Sequence, residues 1–256
     1  MNSGSSDNFS LAGQLAVITG GASGIGFGIA SCFVAAGARV VLVGRNEDRL
    51  ADAVQELGDS ARYEVCDIAR LYSLPDLVDR IRARHGRISL LVNNAGNHLK
   101  KPAAETSDTE FDAVLQTHLR AGFALSREVG SDMMQSGGGS ILFIASMASL
   151  LGIPLVVAYS AAKSALCGVV RSLAAEWSCR GIRVNAIAPG WIDTEMFRKA
   201  VRHDQARSDK ILARTPMARL GEVEDIGMAA VYLSSPAAKF ITGVVLPVDG
   251  GASIGF

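Results

Sequence analysis

Apolar and polar positions along this chain fall into two patterns that take turns. Short, nearly unbroken apolar runs occur at Gln14–Thr19, Arg39–Val43, Arg62–Cys66, Ser89–Asn93, Ser140–Ala145, Arg183–Ala188 and Val244–Val248. Runs of this length read as strands buried on both faces. Between them lie helical patterns at Phe27–Ala36, Asn46–Leu57, Ser73–His85, Thr109–Met134, Ala158–Cys179 and Val223–Leu233. Strand–helix alternation predicts an α/β fold: one parallel sheet of about seven strands with helices on both faces. No linker or repeat divides it, so residues 11–256 are read as a single domain behind a flexible Ser/Gly/Asn-rich lead-in, Met1–Ser10. Ligands in such sheets gather beyond the carboxyl ends of the strands. Those ends hold Gly20, Gly44, Asp67, Asn94, Ser146 and Pro189, so separate segments converge on one crevice.

Two constellations there carry chemistry. Tyr159 and Lys163 are four residues apart in a predicted helix and share a face. A phenol titrates near 10 in water, and an adjacent ammonium favours the phenolate and moves that value down, toward useful proton transfer. The plain alternative is a packed tyrosine beside a solvated lysine. The second constellation, Thr19-Gly20-Gly21-Ala22-Ser23-Gly24-Ile25-Gly26, joins the first strand to the first helix. A glycine-rich turn in that place lets a pyrophosphate approach the backbone and sit at the positive helix end. Three residues separate Gly20 from Gly24, which departs from G-x-G-x-x-G.

These motifs, with Asn93-Asn94-Ala95-Gly96, Ser146 thirteen residues before Tyr159, Pro189-Gly190-Trp191-Ile192-Asp193-Thr194 and Val248-Asp249-Gly250-Gly251, resemble the short-chain dehydrogenase/reductase family from Leu11 to Ala252. The resemblance implies a Rossmann-type doubly wound sheet and hydride transfer between nicotinamide and a carbinol or carbonyl carbon. It implies that Tyr159 exchanges the proton of the substrate oxygen, that Ser146 hydrogen-bonds that oxygen, and that Lys163 also holds the nicotinamide ribose. Cofactor contacts are expected from Gly20, Ser23, Gly24, Ile25 and Gly26, from Asn94, Ala95 and Gly96, and from Asp67 at the adenine with Ile68 beside it. Pro189, Gly190, Ile192 and Thr194 are expected at the nicotinamide and phosphates; the alternative for Thr194 is a helix N-cap.

The second strand ends Gly44-Arg45-Asn46 where an NAD site usually presents an acid. Glycine removes repulsion against a phosphate and a guanidinium binds one in a fork, so NADP is expected in preference to NAD, through Arg45 and Asn46. A solvated Arg45 is the alternative. The chain departs from the family at Thr117-His118-Leu119, where His118 replaces an asparagine that in relatives helps hold a water linking the lysine to solvent. Three readings stand: a relay altered by His118 whose activity falls when the imidazole is protonated, a silent substitution, or a broken relay.

Asn97-His98-Leu99-Lys100-Lys101-Pro102 is similar to a phrase of sugar-acid dehydrogenases. His98 or Lys100 then faces a substrate carboxylate, or is a solvated loop charge. Trp191–Thr215 reads as a mobile lid with Trp191 and Met196 beneath it. The 3-oxoacyl-carrier-protein reductases are the enzymatic alternative, needing a basic surface near Arg120 and Arg127; a non-catalytic dinucleotide-binding regulator is the other.

Composition narrows the partners. The chain has 256 residues, 49% apolar, with 25 Lys plus Arg against 25 Asp plus Glu. That balance makes no electrostatic case for nucleic acid or an anionic membrane, and no apolar stretch is long enough to span a bilayer. Cys32, Cys66, Cys167 and Cys179 form no C-x-x-C pair or metal-ligand pattern, which points to no metal and a cytoplasmic setting. The partner is then a small-molecule substrate. Relatives imply a homotetramer, with small residues Ala121, Gly122, Ala124, Ala165 and Gly168 at helix contacts and Ala252–Phe256 buried between subunits.

Overall fold

The computed structural model describes residues 7–195, 197–198 and 205–255. Seven parallel strands form one sheet in the order β3-β2-β1-β4-β5-β6-β7. They are β1 (Leu15–Thr19), β2 (Arg39–Gly44), β3 (Ala61–Val65), β4 (Leu90–Asn93), β5 (Gly139–Ile144), β6 (Ile182–Pro189) and β7 (Val245–Val248). The central strands carry side chains that are apolar on both sides, because both sides are covered. Leu15 and Val17 of β1 pack with Leu77, Ile81, Val129 and Leu166, whereas Ala16 and Ile18 pack with Ile29, Phe33, Leu50 and Ile226. Thus α3 (Leu74–His85), α5 (Ala121–Gln135) and α6 (Val157–Trp177) cover one face. The other is covered by α1 (Gly24–Ala35), α2 (Glu47–Leu57) and α8 (Val223–Ser234).

The expected sheet is present strand for strand, and its order reverses at β1, which pairs with β2 on one side and β4 on the other. The gap above that reversal is where a ligand fits such a sheet. The long helical pattern at 109–134 is three pieces: α4 (Asp108–Leu115), a π-helical segment Gln116–Arg120, then α5. A π turn carries one more residue than an α turn, and here it carries His118.

Within 191–215, residue 196, and with it Met196, and residues 199–204 lie outside the described residues. Ahead of them Arg198 is ion-paired with Asp193 at 2.7 Å, and behind them Gln205–Arg214 forms α7, which the reading of a polar lid missed. Residues 1–6 of the lead-in also lie outside; Asp7–Phe9 forms a 3-10 turn with the Phe9 ring 6.1 Å from that of Tyr232.

Candidate active site

The glycine turn owes its shape to close backbone contacts. A Cβ on Gly26 would lie 2.2 Å from the Gly20 carbonyl oxygen and 2.5 Å from Asn94 Nδ2, so only glycine fits. Asn94 locks the turn by donating to the carbonyls of Thr19 (3.0 Å) and Gly20 (3.1 Å). The Thr19 hydroxyl accepts from the amides of Asn94 (3.0 Å) and Ala95 (3.1 Å), tying the end of β1 to the end of β4. Ser23 precedes α1 in extended backbone and its hydroxyl makes no cap. The amide groups of the first turn, at Gly24, Ile25 and Gly26, are therefore left facing the cavity, a ready site for a phosphate.

That cavity, about 740 Å³, joins the turn to the carboxyl ends of β2, β4, β5 and β6. It is lined by Gly20, Ser23, Gly24, Ile25 and Gly26, by Arg45, Asp67 and Ile68, by Asn94, Ala95 and Gly96, by Ser146, Tyr159 and Lys163, by His118, and by Pro189, Gly190 and Thr194. Two expected cofactor contacts stand apart. Asn46 caps α2, accepting from the Arg49 amide at 2.9 Å, and Ile192 is buried in the core against Gly221. Thr194 combines both of its readings: it lines the cavity, and its hydroxyl accepts from the Phe197 amide at 3.2 Å. The sequence reading missed Arg49, which lines the cavity beside Arg45. Its signal was the cap: Asn46 starts α2 directly at the strand end, which brings the first helical turn to the crevice. The acid nearby, Glu47, is engaged by the Tyr63 hydroxyl at 3.2 Å.

At the other end, Lys163 is buried and donates to the Ile144 carbonyl, and burial pulls its pKa down to about 7. Tyr159 lies one helical turn earlier with Lys163 Nζ 5.5 Å from its ring centre. Burial raises the phenol above its ordinary value, and the hydrogen bond with Ser146 offsets this only in part. The expectation that the ammonium would lower the phenol's pKa is therefore not met in the protein alone. Desolvation outweighs it, and it also weakens the lysine's own charge.

His118 is buried with its ring edge-on to Tyr159, centres 5.3 Å apart. Its Nε2 lies 2.7 Å from the Asn97 carbonyl and 3.2 Å from the Asn97 amide, so either tautomer finds a backbone partner there, while Nδ1 is buried without one. The ring occupies space that any side chain at position 96 would need: a Cβ on Gly96 would lie 2.0 Å from His118 Cε1. Burial, then the charge of Lys163, lower its pKa to about 3. The imidazole is neutral across the working range, so loss of activity through its protonation near neutrality does not follow.

His98 also lines the cavity, 5.4 Å from Tyr159 between ring centres, whereas Lys100 does not reach it and Trp191 packs on Phe197 instead. No group of metal-ligating residues occurs among the described residues.

The chain is similar to known proteins along nearly its whole length. A family model described as enoyl-(acyl carrier protein) reductase matches residues 20–253. The chain is 39% identical to a 2-dehydro-3-deoxy-D-gluconate 5-dehydrogenase of Pseudoalteromonas atlantica, over 96% of this chain and 98% of that relative. It is 40% identical to a D-threitol dehydrogenase of Mycolicibacterium smegmatis, over 96% and 95%. A crystal structure of a gluconate 5-dehydrogenase from Burkholderia cenocepacia, in complex with NADP and tartrate, superposes with a TM-score of 0.94 at 34% identity, covering 98% of this chain and 99% of that one.

Proposed function

The chain belongs to the short-chain dehydrogenase/reductase family, and from that premise we propose that it acts with NADP(H), in preference to NAD(H), on a small polar keto or hydroxy substrate such as a sugar acid. The observation that carries this is the continuity of one cavity from the glycine turn and two arginines to Ser146, Tyr159 and Lys163. The residues fit a dinucleotide: open amide groups and a glycine-only approach suit the pyrophosphate, and Arg45 with Arg49 suit a ribose phosphate. When bound, the nicotinamide supplies or accepts the hydride. Tyr159 gives its phenolic proton to the substrate oxygen in reduction and takes it back in oxidation, and Ser146 holds that oxygen by a hydrogen bond. His118 acts by position, as a neutral ring set between the Asn97 backbone and the tyrosine.

The sugar-acid reading draws on the named relatives and on the polar lining contributed by Asn97, His98, Thr117 and Glu195. The acyl-carrier-protein alternative needs a basic surface, and Arg127 is already committed to Glu128 at 2.9 Å. The test is NADPH and NADH oxidation with 5-ketogluconate, erythrulose and an acetoacetyl thioester. Preference for the thioester moves the assignment to an acyl reductase; NADPH binding with no turnover moves it to a regulator. In the same assay, changing Arg45 and Arg49 together to Ala is expected to weaken NADPH binding by roughly tenfold to hundredfold and leave NADH binding within about twofold. Equal weakening of both would remove the phosphate argument.

A homotetramer is also proposed, by family analogy. Of the small residues assigned to helix contacts, Ala121, Gly122 and Ala124 are consumed within the chain's own core, while Ala165 and Gly168 are partly exposed. Ala252 is buried within the chain but Ile254 is 85% exposed, and Phe240 is fully exposed. Deleting residues 254–256 is expected to reduce the light-scattering mass, and an unchanged mass would reject the contact. A cytoplasmic setting suits the four unpaired cysteines. No helix among the described residues is long and apolar enough to cross a membrane.

A further inference from the structure

We infer that Gln116 is a positioning residue for the cofactor, holding the turn Asp67–Ala69 in the shape that receives the adenine end of the dinucleotide. The inference rests on the NADP(H) reading above. The sheet order places that end. β3 is an edge strand, two strands from β1 and its glycine turn, on the side away from β5, which leads to Ser146. A dinucleotide with its pyrophosphate on the glycine turn and its nicotinamide at Tyr159 therefore carries its adenosine toward the ends of β2 and β3. Arg45 and Arg49 line the cavity after β2, and Asp67, Ile68 and Ala69 line it after β3.

Within that turn the bonds are local. Asp67 accepts the Ala69 amide on its carboxylate at 3.1 Å and the Arg70 amide on its carbonyl at 3.0 Å. The Ala69 carbonyl is bonded from outside: Gln116 Nε2 donates to it at 2.8 Å, from 47 residues along the chain. Ile68 is buried in the core on the inner side, so the turn is held between that core and the glutamine. Gln116 opens the π-helical segment, and its two successors, Thr117 and His118, line the cavity themselves. Three consecutive residues thus engage the cavity or its wall. Successive side chains of an α turn, about 100° apart, do not gather on one side in that way. His118 meets the Asn97 backbone at the nicotinamide end, so one short segment touches the walls at both ends of the cofactor. Gln116 is half-buried and is not among the lining residues; it acts through Ala69. A turn already held in its bound shape loses less freedom when the ligand arrives, and affinity rises accordingly.

The experiment compares wild type with Gln116→Met, which keeps the length of the side chain and loses its amide. Gln116→Glu, which keeps the shape and loses the donor, is the second variant. Dissociation constants are measured for NADPH, NADH and 2′,5′-ADP, with the thermal midpoint of the cofactor-free protein alongside. Gln116→Met is expected to weaken all three ligands by a common factor of roughly threefold to tenfold, with the midpoint unchanged. The loss appears in KM for NADPH rather than in kcat, and Gln116→Glu shows at least the same loss. A common factor separates this residue from the arginine pair, which distinguishes NADPH from NADH. Unchanged constants in both variants overturn the inference. So does a loss that spares 2′,5′-ADP or NADH, or one matched by a fall in the midpoint. Failure of wild type to bind either dinucleotide overturns the proposed function instead.

Discussion

Replacing Tyr159 with Phe is expected to reduce turnover by about a thousandfold in both directions while leaving NADPH affinity within about twofold. Only the oxygen is removed. The ring keeps its packing on Val114, Ala158 and Ala162 and its two imidazole neighbours, so the site stays assembled. The pH dependence follows from the raised phenol. With its pKa above the ordinary value, the acid form that reduction needs persists through neutral and mildly alkaline pH. Oxidation draws on the phenolate and rises with pH over the same range. Steady-state rates with fluorescence titration of NADPH check this. A variant that retains more than about a tenth of wild-type turnover would assign the proton to another group.

Changing Lys163 to Met is expected to cut turnover by at least about a hundredfold and, separately, to alter how stability depends on pH. Burial lowers this lysine from its ordinary 10.5 to about 7. Between those values the unfolded chain binds the proton and the folded chain does not, so unfolding takes up a proton and stability rises with pH. Below about 7 both states are protonated and the cost of the buried charge is fully present. Relative to the Met variant, the wild-type protein should therefore gain about 3 kcal/mol between pH 7 and 9.5 in the absence of cofactor. The raised Tyr159 opposes this trend only above its own ordinary value near 10, outside that interval. Denaturant unfolding of the two proteins across the interval measures the difference, and parallel curves would show that Lys163 is not desolvated in solution.

The strands were readable because both faces of the sheet are covered, which forces unbroken apolar runs such as Leu15–Ile18. The glycine turn was readable because its constraint is local: Gly26 faces Gly20 six residues away, with Asn94 alongside. What the sequence hid depends on contacts made across the fold. Asn46, expected at the cofactor, instead caps the helix, while Arg49, which had no expected part, reaches the cavity. Desolvation was hidden as well. Four-residue spacing puts Lys163 beside Tyr159, but only the packed site shows that both are buried deeply enough for burial to set their pKa values. The same burial turned His118 from a titrating group into a neutral one. The helix at Gln205–Arg214 escaped notice because its charged residues outweigh its apolar ones, with Ile211 its buried anchor.

The π-helical segment at Gln116–Arg120 has a consequence for how this chain can change over time. It holds one residue beyond what an α turn requires, and that surplus sits between α4, whose Glu110 pairs with Lys101, and α5, which packs on one face of the sheet. The wider turn absorbs that surplus, so Glu110 stays on Lys101 before it while Leu125, Val129 and Met133 stay in the core after it. Deleting a single residue there would restore a regular helix with both faces in place and remove the bulge that carries His118. The length of this turn therefore serves the residue it displays rather than the helices it joins.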